Sequence, residues 1–367
     1  MKSDVLVVGA GPAGLATAIA AAAKGLHVTV ADARRPPINK PCGEGLLPEA
    51  VEALRGIGIE LNSSLGCLLE GFRFSDGLHS ASAPMARGRA FGLRRTVLHE
   101  LLVGRAVEAG VNLRWGARVS DFAAGRARID GEYFRFDWLV GADGLNSSVR
   151  RWAKIGRLRT RRDRFGFRRH FAIAPWSSLV EVYWGERAQL VVTPTGAGEV
   201  CVSFFSSDAN LRIKDGLAEF PEVARRLKGA EPTTVEQGTI VGLASARRVT
   251  AGRVALVGDA SCSVDGIAGH GLSLGFQEAL ELGEALARQD LRYYESARRR
   301  IASLPLWMTR LLLLMGASGW IRRRTLRLFE SQPDLFATII SIHTSKPQGY
   351  AFDPKEMIDL SWRLLWA

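Results

Sequence analysis

The stretch Val5-Leu6-Val7-Val8-Gly9-Ala10-Gly11-Pro12-Ala13-Gly14-Leu15-Ala16 constrains this chain more than any other. An apolar, β-branched run ends in three spaced glycines and passes at once into an Ala-rich helical stretch. Gly9 permits a tight turn, Gly11 lets the backbone approach a pyrophosphate, and Gly14 lets the helix pack close to the strand. The helix start then offers unpaired N–H groups and a partial positive charge to phosphates. A second strand, Leu26 to Ala31, delivers Asp32 about 20 residues beyond the glycines, where a ribose hydroxyl needs an acceptor. Strand, glycines, helix, strand and acid in this order predict a dinucleotide-binding βαβ unit. The arginines of Ala33-Arg34-Arg35 are within reach of a cofactor phosphate.

With 367 residues, the chain has room for this unit and at least one further domain. Cys42, Cys67, Cys201 and Cys262 show no CxxC pair and no Cys/His zinc spacing, so the reading is a reducing compartment with no metal. The first strand starting within five residues of Met1 is read as leaving no room for a signal peptide. A cytoplasmic location is expected, with peripheral membrane contact as an option. The net charge of +12 is densest from Arg150 to Arg169, through Arg157, Arg159, Arg161, Arg162, Arg164 and Arg168. The plain reading is a solvated connection and an edge strand. The sharper one is a landing surface for a 2′-phosphate, an acyl carrier protein or a membrane. Nucleic acid is set aside, because Trp152, Phe165, Phe167 and Phe171 suit a strand better than a stacking platform.

Further along, Lys40-Pro41-Cys42-Gly43-Glu44-Gly45-Leu46 is a glycine-rich loop leading to a helix over 49–57. Cys42 is either a space-filler or a thiol shown to a ligand. Residues 65–92 read as short strands, and a helix beginning at Arg94-Arg95 carries Val97, Leu98, Leu101 and Leu102 on one face. A buried strand then brings Gly141-Ala142-Asp143-Gly144 to a turn. Residues 165–249 are mostly strand-like, with one helix near 216–228. A late strand ends at Gly258-Asp259-Ala260, and an amphipathic helix over 272–288 comes after Gly269 and Gly271. The remainder reads as helices punctuated by Pro305, Gly316, Gly319 and Pro333.

Three separated motifs share one pattern: the amino-terminal glycines, Gly141-Ala142-Asp143-Gly144 with Arg150, and Gly258-Asp259-Ala260. Together they resemble the three fingerprints of the FAD-dependent aromatic hydroxylase and geranylgeranyl reductase superfamily, over about the first 290 residues. The resemblance implies FAD as cofactor and NAD(P)H, or a reductase partner, as the source of electrons. It implies an α/β fold in which a Rossmann-type FAD-binding domain (1–70, 94–164 and 250–290) carries an antiparallel-sheet substrate domain (71–93 and 165–249). A helical C-terminal cap (291–367) completes it. Arg95 then touches the cofactor, Asp143 holds the pyrophosphate region with Gly144, and Asp259 accepts from the ribityl chain. Gly269 and Gly271 open a helix whose positive end faces the flavin.

Within that superfamily the Cys42 loop is most similar to the Pro-Cys-Gly-Gly loop of geranylgeranyl reductases, which implies a thiol near the isoalloxazine. The sequence departs from the group at Asp265-Gly266, where a proline is usual. It departs again at Cys262, where hydroxylases favour histidine. The expected activity is NAD(P)H-driven monooxygenation of a hydrophobic small molecule, an isoprenoid, polyketide or lipid. The alternative is hydride transfer to a carbon–carbon double bond assisted by Cys42. Halogenation, and a flavin protein that only binds or transfers electrons, are further alternatives. His270 is either an acid–base group or a plain turn residue, and Asp265 either handles a proton or caps the next helix. Glu44 is expected to face solvent, with the substrate as the alternative. The apolar stretch Leu304 to Ile321 is broken by Pro305 and Arg310 and followed by Arg322-Arg323-Arg324. It reads as a docked helix or as an interfacial one with a basic flank. Substrate and oligomeric state stay open.

Overall fold

The computed structural model describes residues 2–85, 88–123, 125–156 and 164–344, with the backbone of 159–160. Strand β1 (Lys2–Val8) runs into helix α1 (Pro12–Ala22), and β2 (Val28–Asp32) returns parallel to it. Helices α2 (Pro48–Gly56) and α3 (Arg95–Glu108) follow, then the short α4 (Ser148–Trp152), α5 (Ile213–Gly216) and α6 (Pro221–Arg226). Four longer helices end the described chain: α7 (Gly271–Ala287), α8 (Leu291–Ala317), α9 (Gly319–Ser331) and α10 (Pro333–His343).

The fold is mixed α/β, built on two large sheets. In the first, Val254–Leu256, Glu132–Gly141, β1, β2 and Asn112–Trp115 lie side by side and parallel. Their runs Val5 to Val8, Val28 to Ala31 and Leu139 to Val140 are buried, as a parallel sheet covered on its faces requires. Helix α7 packs on α1 through small residues: a Cβ on Gly283 would stand 2.8 Å from that of Ala20. The second sheet is antiparallel except for one pair, in the order 231–232, 164–172, 199–206, 188–196, 179–184, 71–75 and 80–84. Period-2 alternation divides its faces. One packs Phe167, Leu190, Val202 and Phe204 against Phe220 and Val223 below α5 and α6. The other carries Arg168, His170, Cys201 and Ser203 in register. Further along that face Phe74, Val182 and Val191 are covered by α8, α9 and α10. A three-stranded sheet of 45–46, 90–92 and 67–69 joins segments expected in different domains.

Three expectations need correction. Three members of the arginine run are not solvated: Arg150 and Arg168 are buried and Arg164 is ion-paired with Asp265. Arg157, Arg161 and Arg162 lie outside the described residues, as does the Arg159 side chain. The strand that holds Arg164 and Arg168, Arg164–Ala172, is not an edge, because 199–206 pairs on one side and 237–241 on the other. Pro305 and Gly316 do not punctuate the cap. Both sit within the 27-residue α8, which ends at Ala317. Pro305 removes one N–H donor from that helix, yet α8 runs on through it, with Pro305 buried and Met308 and Leu312 in the core that covers the second sheet. Residues 345–367 of the expected cap lie outside the described ones. Among the described residues no single helix is long and apolar enough to cross a membrane.

Candidate active site

The β1–α1 turn is held by contacts that leave one direction open. Gly9 has φ +107°, and a Cβ there would lie 2.5 Å from the Ala142 carbonyl. A Cβ on Gly14 would lie 2.0 Å from the Gly9 carbonyl, so α1 can dock only without one. On Gly11 it would meet nothing within 4 Å. No side chain caps α1 there, which leaves its first N–H groups turned to an open space. Asp32 braces the turn from β2: Oδ2 accepts from the Ala10 N–H at 2.8 Å and Oδ1 from the Arg34 N–H at 2.8 Å. His99, on the buried face of α3, reaches the Ala10 carbonyl through Nε2 at 3.0 Å. Val97 and Leu101 pack partly buried against the core beside Leu98 and Leu102, as periodicity placed them, and His99 and Ala106 join that face.

The mid-chain and late motifs close on the same space. Asp143 Oδ2 accepts from the N–H groups of Ser148 and Val149 and so caps α4, while Oδ1 is buried without a partner. Arg150 donates to the Leu145 and Ala260 carbonyls and ties one motif to the other. Gly258 (φ +61°) stands against Ala13 of α1, and its N–H donates to Glu278 Oε2 at 2.7 Å. Glu278 is fully buried and also accepts from Ser261, so α7 positions the Asp259 turn from below. Burial raises its carboxyl to about 7, with Arg298 opposing the shift.

Asp259 and Lys40 are open to solvent, yet burial raises the Asp259 carboxyl and lowers the Lys40 ammonium. Open side chains surrounded by protein mark the walls of a cleft. Lys40, Arg34 and Arg95 gather there beside Asp32 and Asp259. The Arg95 Nε is buried without a partner. At the far wall α7 begins uncapped, and Cβ atoms on Gly269 or Gly271 would meet nothing within 4 Å. FAD fits this donor set. Two bare helix starts and three cations suit a pyrophosphate and a flavin, Asp32 and Asp259 offer acceptors to hydroxyls, and the unpartnered Asp143 and Arg95 atoms await partners.

The Cys42 loop differs most from its sequence reading. Glu44 is not solvent-facing but 1% exposed, with φ +61°. Arg168 donates to its Oε1 at 2.8 Å and His170 to its Oε2 at 2.5 Å. Arg168 also holds Asn39 and Gln237, and His170 holds Thr234 at 3.1 Å. This clasp pins the loop to the second sheet. It turns the Glu44 N–H onto Cys42 Sγ at 3.3 Å, while Cys201 Sγ lies 3.8 Å from the Cys42 carbonyl. Arg168 and His170, two apart on one strand, were the available signal, masked by the arginine run around them.

Asp265 is fully buried. It caps the turn at Ile267 N–H, and its Oδ1 takes an ion pair from Arg164 at 2.7 Å. His270 faces no solvent: its ring lies edge-on to His343, 4.3 Å between centroids, and its Nε2–H donates to the His343 carbonyl at 3.1 Å. Burial lowers His270 to about 4 and His343 well below its ordinary value. Both rings are therefore neutral at pH 7. The unfolded chain binds these protons first, so stability falls as pH drops below about 6.5 and the loss from His270 is complete near 4. That loss is roughly 3 kcal/mol for His270 alone. Urea midpoints measured from pH 7 to 5 are expected to fall steeply for the native chain and less so for His270→Gln. Parallel slopes would remove the assignment.

The model of the family described as FAD binding domain matches residues 2–301. Menaquinone reductase of Mycobacterium tuberculosis (strain ATCC 25618 / H37Rv) is 28% identical over 79% of this chain and 78% of its own. Digeranylgeranylglycerophospholipid reductase of Methanosarcina mazei is 35% identical over 42% of this chain and 40% of its own. Among solved structures, the anhydrotetracycline hydroxylase OxyS of Streptomyces rimosus superposes with TM-score 0.74 at 25% identity, covering 94% of this chain and 76% of that one.

Proposed function

This chain belongs to the FAD binding domain family and is an FAD-dependent oxidoreductase; from that premise we propose that it reduces a carbon–carbon double bond of a hydrophobic, prenylated small molecule. The observation that carries the reading is the clasped loop, which fixes a half-buried thiol by two buried side chains of the second sheet. The names of the relatives in Mycobacterium tuberculosis and Methanosarcina mazei, both reductases of prenylated compounds, support it.

When bound, FAD supplies hydride chemistry, and NAD(P)H is the proposed source of its electrons. The chain's own residues do the rest. The bare starts of α1 and α7, with Lys40, Arg34 and Arg95, bind and orient the cofactor. Glu44, locked by Arg168 and His170, aims its N–H at Cys42 Sγ and fixes the sulfur's direction. Cys42 Sγ gives a proton to the alkene carbon opposite the one that takes hydride, and solvent restores that proton. The alkene thus gains one hydride and one proton. Neutral His270 and ion-paired Asp265 brace the α10 and 265–268 junctions.

A second reading, NAD(P)H-driven monooxygenation of a lipophilic substrate, is supported by the likeness to the hydroxylase OxyS. Oxygen separates the two. Pre-reduced enzyme mixed with menaquinone under strict anaerobiosis is expected to yield, after the ring is re-oxidised to the quinone, a menaquinone two hydrogens heavier in its prenyl chain, and Cys42→Ser to slow its formation by two orders of magnitude or more, about the range of a lost general acid. A product that forms only in air and carries an added oxygen would replace the reductase reading with the hydroxylase one.

A further inference from the structure

The corner between α8 and α9 exposes arginines together with large apolar side chains. Residues 291–331 hold nine arginines against two acids, Glu295 and Glu330. Both acids are engaged, Glu295 by Thr250 and Glu330 by His79. The two helices meet at 115°, and each buries one face. Met308, Leu312 and Met315 of α8 and Leu326 and Phe329 of α9 pack into the core below the second sheet. Arg322, read from sequence as part of a basic flank, is itself buried.

The opposite face is unlike an ordinary solvated surface. Leu314 is 48% exposed at the end of α8 and Trp320 is 53% exposed at the start of α9, on either side of the bend. Arg310 lies one turn before Leu314, and Arg323 and Arg327 come after Trp320 at helical spacing, all three exposed. The Arg324 guanidinium stands 5.0 Å over the Trp320 ring. An indole flanked by arginines, with an exposed leucine on the other side of the bend, matches the boundary between headgroups and acyl chains. The ring and the aliphatic stems of the arginines enter the apolar side, and the guanidinium groups meet lipid phosphates. An acidic protein could meet the same charges and is the rival occupant that the experiment below separates from a bilayer.

We propose that the α8–α9 corner is a docking face for anionic phospholipid bilayers, with Trp320 and Leu314 entering the interface and Arg310, Arg323 and Arg327 pairing with lipid phosphates. The helices lie on the surface and do not span it. The inference is independent of which flavin reaction the enzyme performs.

The holoenzyme is to be sedimented with vesicles of phosphatidylcholine alone and of phosphatidylcholine mixed with phosphatidylglycerol, each at low and high salt. Binding is expected only to the anionic vesicles, weakened by salt. Two variants lie outside the cofactor and substrate machinery: Arg310→Glu/Arg323→Glu/Arg327→Glu and Leu314→Ser/Trp320→Ala. Each is expected to lower partitioning about tenfold or more with bound FAD unchanged. A native protein that stays in the supernatant with anionic vesicles would overturn the proposal. So would either variant sedimenting like the native chain, or salt-sensitive retention on an immobilised acyl carrier protein in place of vesicle binding.

Discussion

Gly11→Val is expected to give a folded, colourless protein, and Gly14→Val a protein that loses both colour and stability. The two glycines stand three residues apart in one motif but face different things. A side chain on Gly11 meets nothing within 4 Å of protein, so the apoprotein has no reason to unfold. It projects instead into the space before the uncapped α1 N-terminus, where the pyrophosphate is to lie. FAD affinity should fall about a hundredfold or more, equivalent to roughly 3 kcal/mol. On Gly14 the same branch would drive into the Gly9 carbonyl at 2.0 Å, a backbone atom held by β1 and β2 and unable to give way. Helix α1 would have to leave the sheet, taking α7 with it. Flavin absorbance after gel filtration and the thermal midpoint of each variant read the two effects separately. A yellow Gly11→Val protein with native FAD content would show that the cofactor does not approach this turn.

Glu44→Ala is expected to be the most damaging single change outside the cofactor motif. It removes the acceptor that Arg168 and His170 share in a site where all three side chains are buried. Breaking such a pair from one side leaves a charge without compensation, at a cost of about 3–5 kcal/mol. The thermal midpoint should fall by roughly 10 °C. Without the clasp, the N–H aimed at Cys42 has no reason to keep the left-handed backbone that directs it. Alkylation of Cys42 by iodoacetamide should therefore accelerate in Glu44→Ala and change least in Glu44→Gln, which keeps an acceptor in place. An unaltered midpoint together with an unaltered alkylation rate would deny the clasp both its roles.

These two sites mark how far local pattern could be read. The Gly11 prediction stands on residues adjacent in the chain, whose spacing and following helix could be seen without coordinates. Helix α7 was legible in the same way, beginning one residue from its sequence boundary. Glu44 was misread because a carboxylate between glycines resembles a solvated loop. Its partners arrive 124 and 126 residues later. Glu278 and His99 escaped notice for a related reason. Each is a single polar residue on an apolar helical face, and only the backbone group it meets across the fold, Gly258 N–H or the Ala10 carbonyl, reveals its purpose.

By itself, then, the sequence determined the features that near neighbours dictate: the βαβ turn, the order of the three segments that meet at the candidate cofactor site, and the alternation that makes the second sheet. Such features depend on backbone sterics and hydrophobic period, which act over a few residues. Tertiary structure alone decided which charges are buried in pairs and which are left to face solvent or lipid. Arg150, Arg164 and Arg168 went inward while Arg310, Arg323 and Arg327 stayed outside. The reason is desolvation: a guanidinium enters the interior only where a carboxylate or carbonyl from a distant segment waits for it, and composition carries no record of that meeting.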